Sequence, residues 1–236
     1  MDGFWFGAFP YIALTLFVVG TIYRYKVGFK YSSLSSQFLE SSHFQKGSVP
    51  FHVGILVVFF AHLIALLFPN ISFGGHMLVS METLMLSFSL IAFVGLAILF
   101  YRRITNQRVL MVTNKMDIAI EVLLLIQFFI GIYITVSLKW GSAWYASDMV
   151  PYLQSVFTFH PDVVAISASP LLIKLHVVFA FLIVLLIPFS RLVHFLVAPL
   201  HYITRPYQIV RWNWNPKTIR DPNTPWKDAV QRPKNN

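Results

Sequence analysis

The chain has 236 residues, of which 57% are hydrophobic and only 11% are charged. Soluble domains carry about 25% charged residues, and a mean hydropathy of +0.67 also argues against a soluble domain. The net charge of +9 does not indicate nucleic-acid binding, because the basic residues cluster between apolar stretches, where they set membrane topology. The absence of cysteine excludes disulfides, thiolate-ligated iron–sulfur clusters and haem attached through cysteine.

Five apolar stretches are long enough to cross a bilayer, which takes about 20 helical residues. They cover residues 4–23, 51–69, 81–101, 117–138 and 171–197. Each stretch is continuous rather than alternating, which favours helices over a barrel. The sequence therefore predicts an all-α membrane protein with five transmembrane helices over 1–204. The proline-rich remainder, 205–236, is predicted to be an extended tail that is ordered only if a partner holds it.

Loop charges predict the orientation of these spans. Lysine and arginine are concentrated in loops 24–50 and 102–116 and in the tail, whereas the N-terminus and loop 70–80 have none. Because cytoplasmic loops carry the excess of basic residues, the N-terminus is predicted outside and the C-terminus in the cytoplasm. The external segment 139–170 is apolar enough around residues 151–160 to predict a short helix or an interfacial stretch.

Two of the spans contain two histidines each, His52 and His62 in the second and His176 and His194 in the fifth. Ionisable residues within spans are rare and mostly functional. The two spans run in opposite directions, so His52 pairs with His194 near the cytoplasmic face and His62 pairs with His176 nearer the outside. This arrangement predicts two metal centres stacked across the bilayer, and bis-histidine haem is the favoured group.

The spacing along the two spans does not match if both are continuous helices. His176 and His194 would be separated by about 27 Å along one axis, and His52 and His62 by about 15 Å. A helix break at Pro188 is expected, and it would absorb part of this difference.

Other interpretations of the histidines remain open. Zinc or copper would want a third ligand near each pair, and a proton relay would want carboxylates in the same two spans. Hydrogen-bonded core histidines are the plainest alternative. The histidines expected to lie in loops or at the interface are His43, His76 and His160, while His201 competes with His194 as a ligand.

Three arginines near the predicted cytoplasmic face are candidates to pair with haem propionates, namely Arg24, Arg103 and Arg191. A buried propionate needs a cationic partner. The alternative is that these arginines only set topology and meet lipid headgroups.

Several motifs resemble those of one family. They are PYIA near the start, SSQFLE in the first cytoplasmic loop, FHVGIL opening span two, QSVFTFH in the outer segment, LH…PFSRLVH across span five and YITRPYQIVR after it. With these motifs, the chain from about residue 10 to about residue 211 resembles the gamma subunit of respiratory nitrate reductase, a di-haem cytochrome b that anchors the enzyme in the membrane.

The resemblance implies two haem b groups, with His52 and His194 on the inner iron and His62 and His176 on the outer one. It implies quinol oxidation beside the outer haem. Electrons would then pass to an iron–sulfur beta subunit and a molybdenum alpha subunit on the cytoplasmic side of a prokaryotic cytoplasmic membrane. The chain itself would perform no nitrate chemistry.

Two positions depart from the family pattern at the quinol end. Ala61 stands where a glycine is common before the second histidine, and Glu82 stands where a lysine near the quinol is common. Glu82 is therefore a candidate proton acceptor for quinol. The alternative is an equivalent subunit of a nitrite oxidoreductase or another molybdenum enzyme, with reversed flow or a non-quinol carrier. A haem-free membrane anchor or transporter is the alternative outside this class.

Overall fold

A computed structural model describes residues 2–27, 36, 39–68, 76–137, 145 and 149–197. His201 and the whole tail 205–236 lie outside the described residues, so the expectations about them stay predictions. Within the described ranges the regular structure is entirely helical.

The helices are numbered here in chain order. A π-helical opening, Gly3–Ala8, leads into α1, Phe9–Lys26. The others are α2 (Ser42–Leu67), α3 (His76–Thr105), α4 (Gln107–Leu110), α5 (Lys115–Ser137), α6 (Val150–Phe157), α7 (Val163–Ser167) and α8 (Leu171–Leu186). Two 3₁₀ segments, Ile187–Phe189 and Arg191–Val197, follow α8.

Five of these helices are long and apolar enough to cross a membrane, which confirms the predicted number of spans. They are α1, α2, α3, α5 and α8, and many of their large apolar side chains are exposed, as a lipid-facing surface requires. The helix ends differ from the predicted ones. α2 begins at Ser42 rather than at 51 and carries Pro50 in its interior, because its first turns are polar and hydropathy alone does not register them.

The fifth span breaks near Pro188, which confirms the expected helix break. α8 ends at Leu186, and Pro188 lies in the 3₁₀ turn that follows. Ser190 then takes an extended conformation, with φ −119° and ψ 178°. The cause is the expected one: proline has no N–H for the helical ladder, and its ring clashes with the preceding turn.

α2 and α3 are in very close contact through small residues. A Cβ placed on Gly54 would lie 2.5 Å from the carbonyl oxygen of Phe88, and one placed on Gly95 would lie 2.6 Å from the backbone nitrogen of Phe51. Such approach of two backbones is typical of membrane helix pairs, where packing rather than the hydrophobic effect drives association. The α2 helix, which carries His52 and His62, is thereby held rigidly against α3.

The remaining spans pack in the order α3, α5, α8 and α1. α1 and α8 run parallel: Lys174 Nζ lies 3.3 Å from Asp2 Oδ2 near their first residues, and Arg24 donates to the Pro188 carbonyl at 2.6 Å near their last. We call the end of the bundle where α3 ends and α5 begins the charged end, and the other the opposite end.

Arg102 attaches the segment before α2 to the charged end. Its buried guanidinium donates to Glu40 Oε2 at 2.7 Å and to the Ser36 hydroxyl at 2.9 Å. The pKa of Glu40 is lowered to about 2, first by the hydrogen bond from the His43 backbone amide and then by Arg102. The carboxylate therefore stays charged at neutral pH, and the contact persists.

The predicted short helix of the outer segment is confirmed as α6. Two tyrosine hydroxyls connect it to the start of the chain: Tyr152 donates to the Phe6 carbonyl at 2.9 Å, and Tyr11 donates to the Val156 carbonyl at 3.0 Å. These bonds attach α6 to the opposite end of the bundle.

Candidate metal centres between the histidine-bearing helices

The structure brings His52 and His194 together at the charged end. Their ring centroids are 6.1 Å apart, and the ring planes meet at 62°. Two imidazoles bound to opposite faces of one metal ion have centroids about 6 Å apart, since each metal–nitrogen bond is about 2.0 Å long. The separation of this pair fits a shared axial metal such as a haem iron.

Three of the four histidines bond a backbone carbonyl through Nδ1. His52 bonds Ser48 O at 2.7 Å, His62 bonds Val58 O at 2.8 Å and His194 bonds Arg191 O at 2.6 Å. A carbonyl accepts only from N–H, so the proton must be on Nδ1 and the lone pair on Nε2. Metal-binding histidines commonly show this arrangement, because the carbonyl sets both the tautomer and the direction of the ring.

His62 lies in the half of α2 towards the opposite end, where its ring contacts Tyr145. The two rings are 5.1 Å apart at 73°, and the Tyr145 hydroxyl donates to the His62 carbonyl at 3.2 Å. Desolvation raises the pKa of Tyr145 to about 12, so its hydroxyl stays protonated and remains a donor.

His176, in the first half of α8, lies against α5. The Gln127 amide donates to the His176 carbonyl at 3.1 Å and lies 3.3 Å from its Nε2, and His176 Nδ1 is buried with no hydrogen-bond partner. A Cβ on Gly131 would lie 3.1 Å from His176 Cε1. Gln127 and Gly131, one turn apart on α5, therefore form the surface against which this imidazole rests.

The break after α8 reduces the mismatch in spacing. From His176 to the end of α8 at Leu186 is ten residues, about 15 Å of rise, the same as from His52 to His62. His194 lies beyond the break, so its distance from His176 is not that of one continuous helix. It reaches His52 because the chain leaves the helix axis at Pro188.

Each of the three predicted arginines contacts protein oxygens at the charged end. Arg103 donates to both carboxylate oxygens of Glu121 at 2.8 Å. Arg191 Nη2 lies 2.8 Å from Asp117 Oδ2, and Arg24 donates to the carbonyls of Pro188 and Ser190.

Sequence reasoning missed the two carboxylates in this network. Asp117 and Glu121 are both buried at the start of α5. A signal was available, since two carboxylates four residues apart at the start of a spanning helix face the bundle more often than lipid. Gln127, in the same helix, was not predicted because it carries no charge that would mark it within an apolar stretch.

The two positions that depart from the family pattern and the remaining described histidines lie outside the His52–His194 pair. Ala61 precedes His62 within α2, and Glu82 is partly buried near the start of α3, towards the opposite end. His43 and His76, expected in loops, instead lie in the first turns of α2 and α3, because both helices extend beyond their apolar stretches. His160 is exposed after α6, as expected.

Among the residues that the structure describes, no three histidine, cysteine, aspartate or glutamate side chains are grouped to hold a metal ion. A tetrahedral zinc site needs three or four such ligands. The described residues therefore do not form a tetrahedral zinc site.

Replacing Gly131 with valine should displace His176 selectively. The new Cβ would require the imidazole to shift, and the branched methyl groups would add to the overlap. If His176 is a haem ligand, we expect the outer haem signal to fall by more than half in an absorption spectrum of the purified protein. Gly3→Val is the control, because a Cβ at Gly3 has nothing within 4 Å. Equal spectra for the two variants would contradict the assignment.

Taken together, the five helices that are long and apolar enough to span a membrane and the close approach of His52 on α2 to His194 beyond α8 define a class: a helical multi-pass membrane protein with a histidine pair at one end of its bundle. Comparison with known proteins assigns the family. The family model described as nitrate reductase gamma subunit matches residues 2–213.

Similar proteins agree with this match. The chain is 35% identical to the respiratory nitrate reductase 2 gamma chain of Escherichia coli, covering 89% of this chain and 97% of that one. It is 33% identical to the nitrate reductase gamma chain of Bacillus subtilis, covering 87% and 96%. The respiratory nitrate reductase 1 gamma chain of Escherichia coli is 32% identical over similar shares. The chain belongs to the nitrate reductase gamma subunit family and is a membrane electron-transfer subunit of that type.

Proposed function

We propose that this chain is the cytochrome b subunit that carries electrons from quinol, through two b-type haems, to a cytoplasmic iron–sulfur and molybdenum nitrate reductase. The observation that carries the proposal is the 6.1 Å separation of the His52 and His194 rings, with each Nδ1 bonded to a backbone carbonyl. When bound, haem iron supplies reversible one-electron chemistry.

The four histidines have the roles of axial ligands in this proposal. His52 and His194 hold the inner haem and His62 and His176 the outer one. Hydrogen bonds from Nδ1 to a carbonyl raise the basicity of the coordinating nitrogen and keep the ring from turning. Gln127 and Gly131 bound the His176 ring on the α5 side.

Arg24, Arg103 and Arg191 remain the proposed partners of the haem propionates. All three lie at the charged end, where His52 and His194 meet. A guanidinium carries five N–H donors in a planar arrangement that matches a carboxylate, which suits these side chains to a propionate.

The charged end is the proposed cytoplasmic face, with the N-terminus outside. This orientation is supported by the basic residues around that end and by their scarcity at the other. The partner subunits would dock there, and the tail from residue 205 would contact them. The inner histidine pair is then on the side of the electron acceptor.

Quinol oxidation is proposed beside the outer pair, with Glu82 taking a proton from the quinol hydroxyl. Glu82 lies in α3 on the side of the bundle where His62 and His176 are found. A carboxylate can accept a proton, whereas a lysine at neutral pH is already protonated. A glutamate at this position therefore provides a proton acceptor that a charged lysine would not.

The test uses the purified complex and two reductants. Dithionite should give b-type bands for two haems in the wild type and in Glu82→Gln. A soluble quinol should reduce the wild type rapidly and the variant at least about tenfold more slowly, as expected when a general base is lost. Equal rates with quinol would remove Glu82 from the site, and absence of b-type bands in the wild type would exclude the proposed function.

A further inference from the structure

A chain of contacts from α5 ends on the ring of His194. Arg191 Nη2 lies 2.8 Å from Asp117 Oδ2, and the carbonyl oxygen of Arg191 lies 2.6 Å from His194 Nδ1. We propose that Asp117 is a positioning residue for His194, acting through Arg191. The inference rests on the proposed function, because it requires His194 to be an axial haem ligand.

His194 needs support that His52 does not. The carbonyl that holds His52 belongs to Ser48, inside α2, where the regular helical ladder keeps it in place. The carbonyl that holds His194 belongs to the first residue of a 3₁₀ segment that follows the break at Pro188. 3₁₀ hydrogen bonds have poorer geometry than α-helical ones, so this segment has less intrinsic rigidity.

The side chain of Arg191 supplies the missing support by attaching the segment to its neighbours. The same Nη2 that meets Asp117 also donates to the Val112 carbonyl at 2.7 Å, just before α5. Residue 191 is thus fixed at its side chain by two oxygens, and its main-chain carbonyl is fixed with it.

Asp117 is itself well anchored. Asn114 and Asp117 form a reciprocal capping box at the start of α5: the Asn114 N–H donates to Asp117 Oδ2 at 3.0 Å, and the Asp117 N–H donates to Asn114 Oδ1 at 2.8 Å. The side chain is only 3% exposed. Arg103 Nη1 approaches the same carboxylate at 3.6 Å. A rigid, buried anion can therefore hold Arg191 in one position.

The experiment compares two variants of the full complex that each change a carboxylate at the charged end to its amide. Asp117→Asn removes the charge that meets Arg191 but keeps an oxygen for the capping box. Glu40→Gln removes the charge that meets Arg102 and leaves the contact between Arg191 and Asp117 intact. Haem content, the midpoint potential of each haem and the low-spin electron paramagnetic resonance signals are measured for both variants.

We expect Asp117→Asn to reduce affinity for the inner haem about tenfold or more, the usual effect of losing an outer partner of a metal-bound histidine. The electron paramagnetic resonance signal of the inner haem should shift or broaden, while the signal of the outer haem should stay as in the wild type. Glu40→Gln should leave the inner signal as in the wild type, and Asp117→Glu should restore much of it. Equal loss of both haems in an Asp117→Asn variant that still accumulates would overturn the proposal.

A double variant tests whether Asp117 acts through Arg191. In an Arg191→Gln variant, adding Asp117→Asn should change the inner haem little further, because the arginine through which Asp117 acts is already absent. Additive effects would overturn the proposal. If Asp117→Asn does not accumulate, Arg191→Gln alone decides, since a normal inner-haem signal in that variant is incompatible with the mechanism. Two haems in the wild type with no effect of Asp117→Asn would exclude this inference and leave the proposed function standing.

Discussion

Under the proposed assignment of haem ligands, replacing His52 with alanine should abolish electron transfer from quinol to the catalytic partner and remove the inner haem while sparing the outer one. The reason is geometric. The His52 and His194 rings are 6.1 Å apart, and without His52 only His194 would remain to bind the inner haem iron. A five-coordinate haem would be held weakly. Absorption and resonance spectra of the purified complex count the haems, and quinol-dependent nitrate reduction measures the transfer.

The control for this prediction is His43→Ala, which removes an exposed histidine from the first turn of the same helix. It should keep both haems and at least most of the activity. His62→Ala is the complement and should remove the outer haem alone. Loss of both haems in each of the His52 and His62 variants would contradict two independent centres, and loss of neither would contradict the histidine pairing.

A large loss of stability is expected from Gly54→Ala, which adds a single methyl group to α2. A Cβ there would lie 2.5 Å from the Phe88 carbonyl oxygen and 2.7 Å from the Ala92 backbone nitrogen. Backbone atoms cannot move aside cheaply, so Gly54→Ala must separate α2 from α3. Overpacking of this kind costs about 1–3 kcal/mol. Because α2 carries both His52 and His62, haem retention should fall with stability.

Gly7→Ala is the matched control, and it should leave the free energy of unfolding unchanged or raise it. A Cβ on Gly7 would make an ordinary contact, 3.6 Å from Val163 Cγ2. Alanine is preferred to glycine within a helix by about 0.5–1 kcal/mol, so this variant should be as stable as the wild type or more so. Thermal unfolding in detergent measures both. A Gly54→Ala variant that is as stable as Gly7→Ala would show that α2 and α3 are not in close contact.

Particular elements show how far sequence reasoning reached. The five spans were predicted because about 20 consecutive apolar residues are a local property of the chain. The break at Pro188 was predicted because proline cannot join the helical ladder. The polar starts of α2 and α3 were missed because hydropathy does not register helix outside the apolar stretch. The membrane orientation and the tail contact stay predictions.

Some residues of the candidate site could be identified from the sequence, and others could not. The four histidines were identifiable because an ionisable residue in an apolar stretch is conspicuous. The roles of Asp117, Glu121 and Gln127 were not, since each acquires its meaning from a neighbour on another helix, namely Arg191, Arg103 and His176.

The sequence by itself determined the fold class, the number of spans and the family, because hydropathy, residue type and motif are all written along the chain. The tertiary structure decided that His194 meets His52 even though the fifth span is not a continuous helix, and that Asp117 lies behind it. The physical reason is that these contacts depend on where the chain goes after a break and on which helices then pack together. Local propensities leave both of these undetermined.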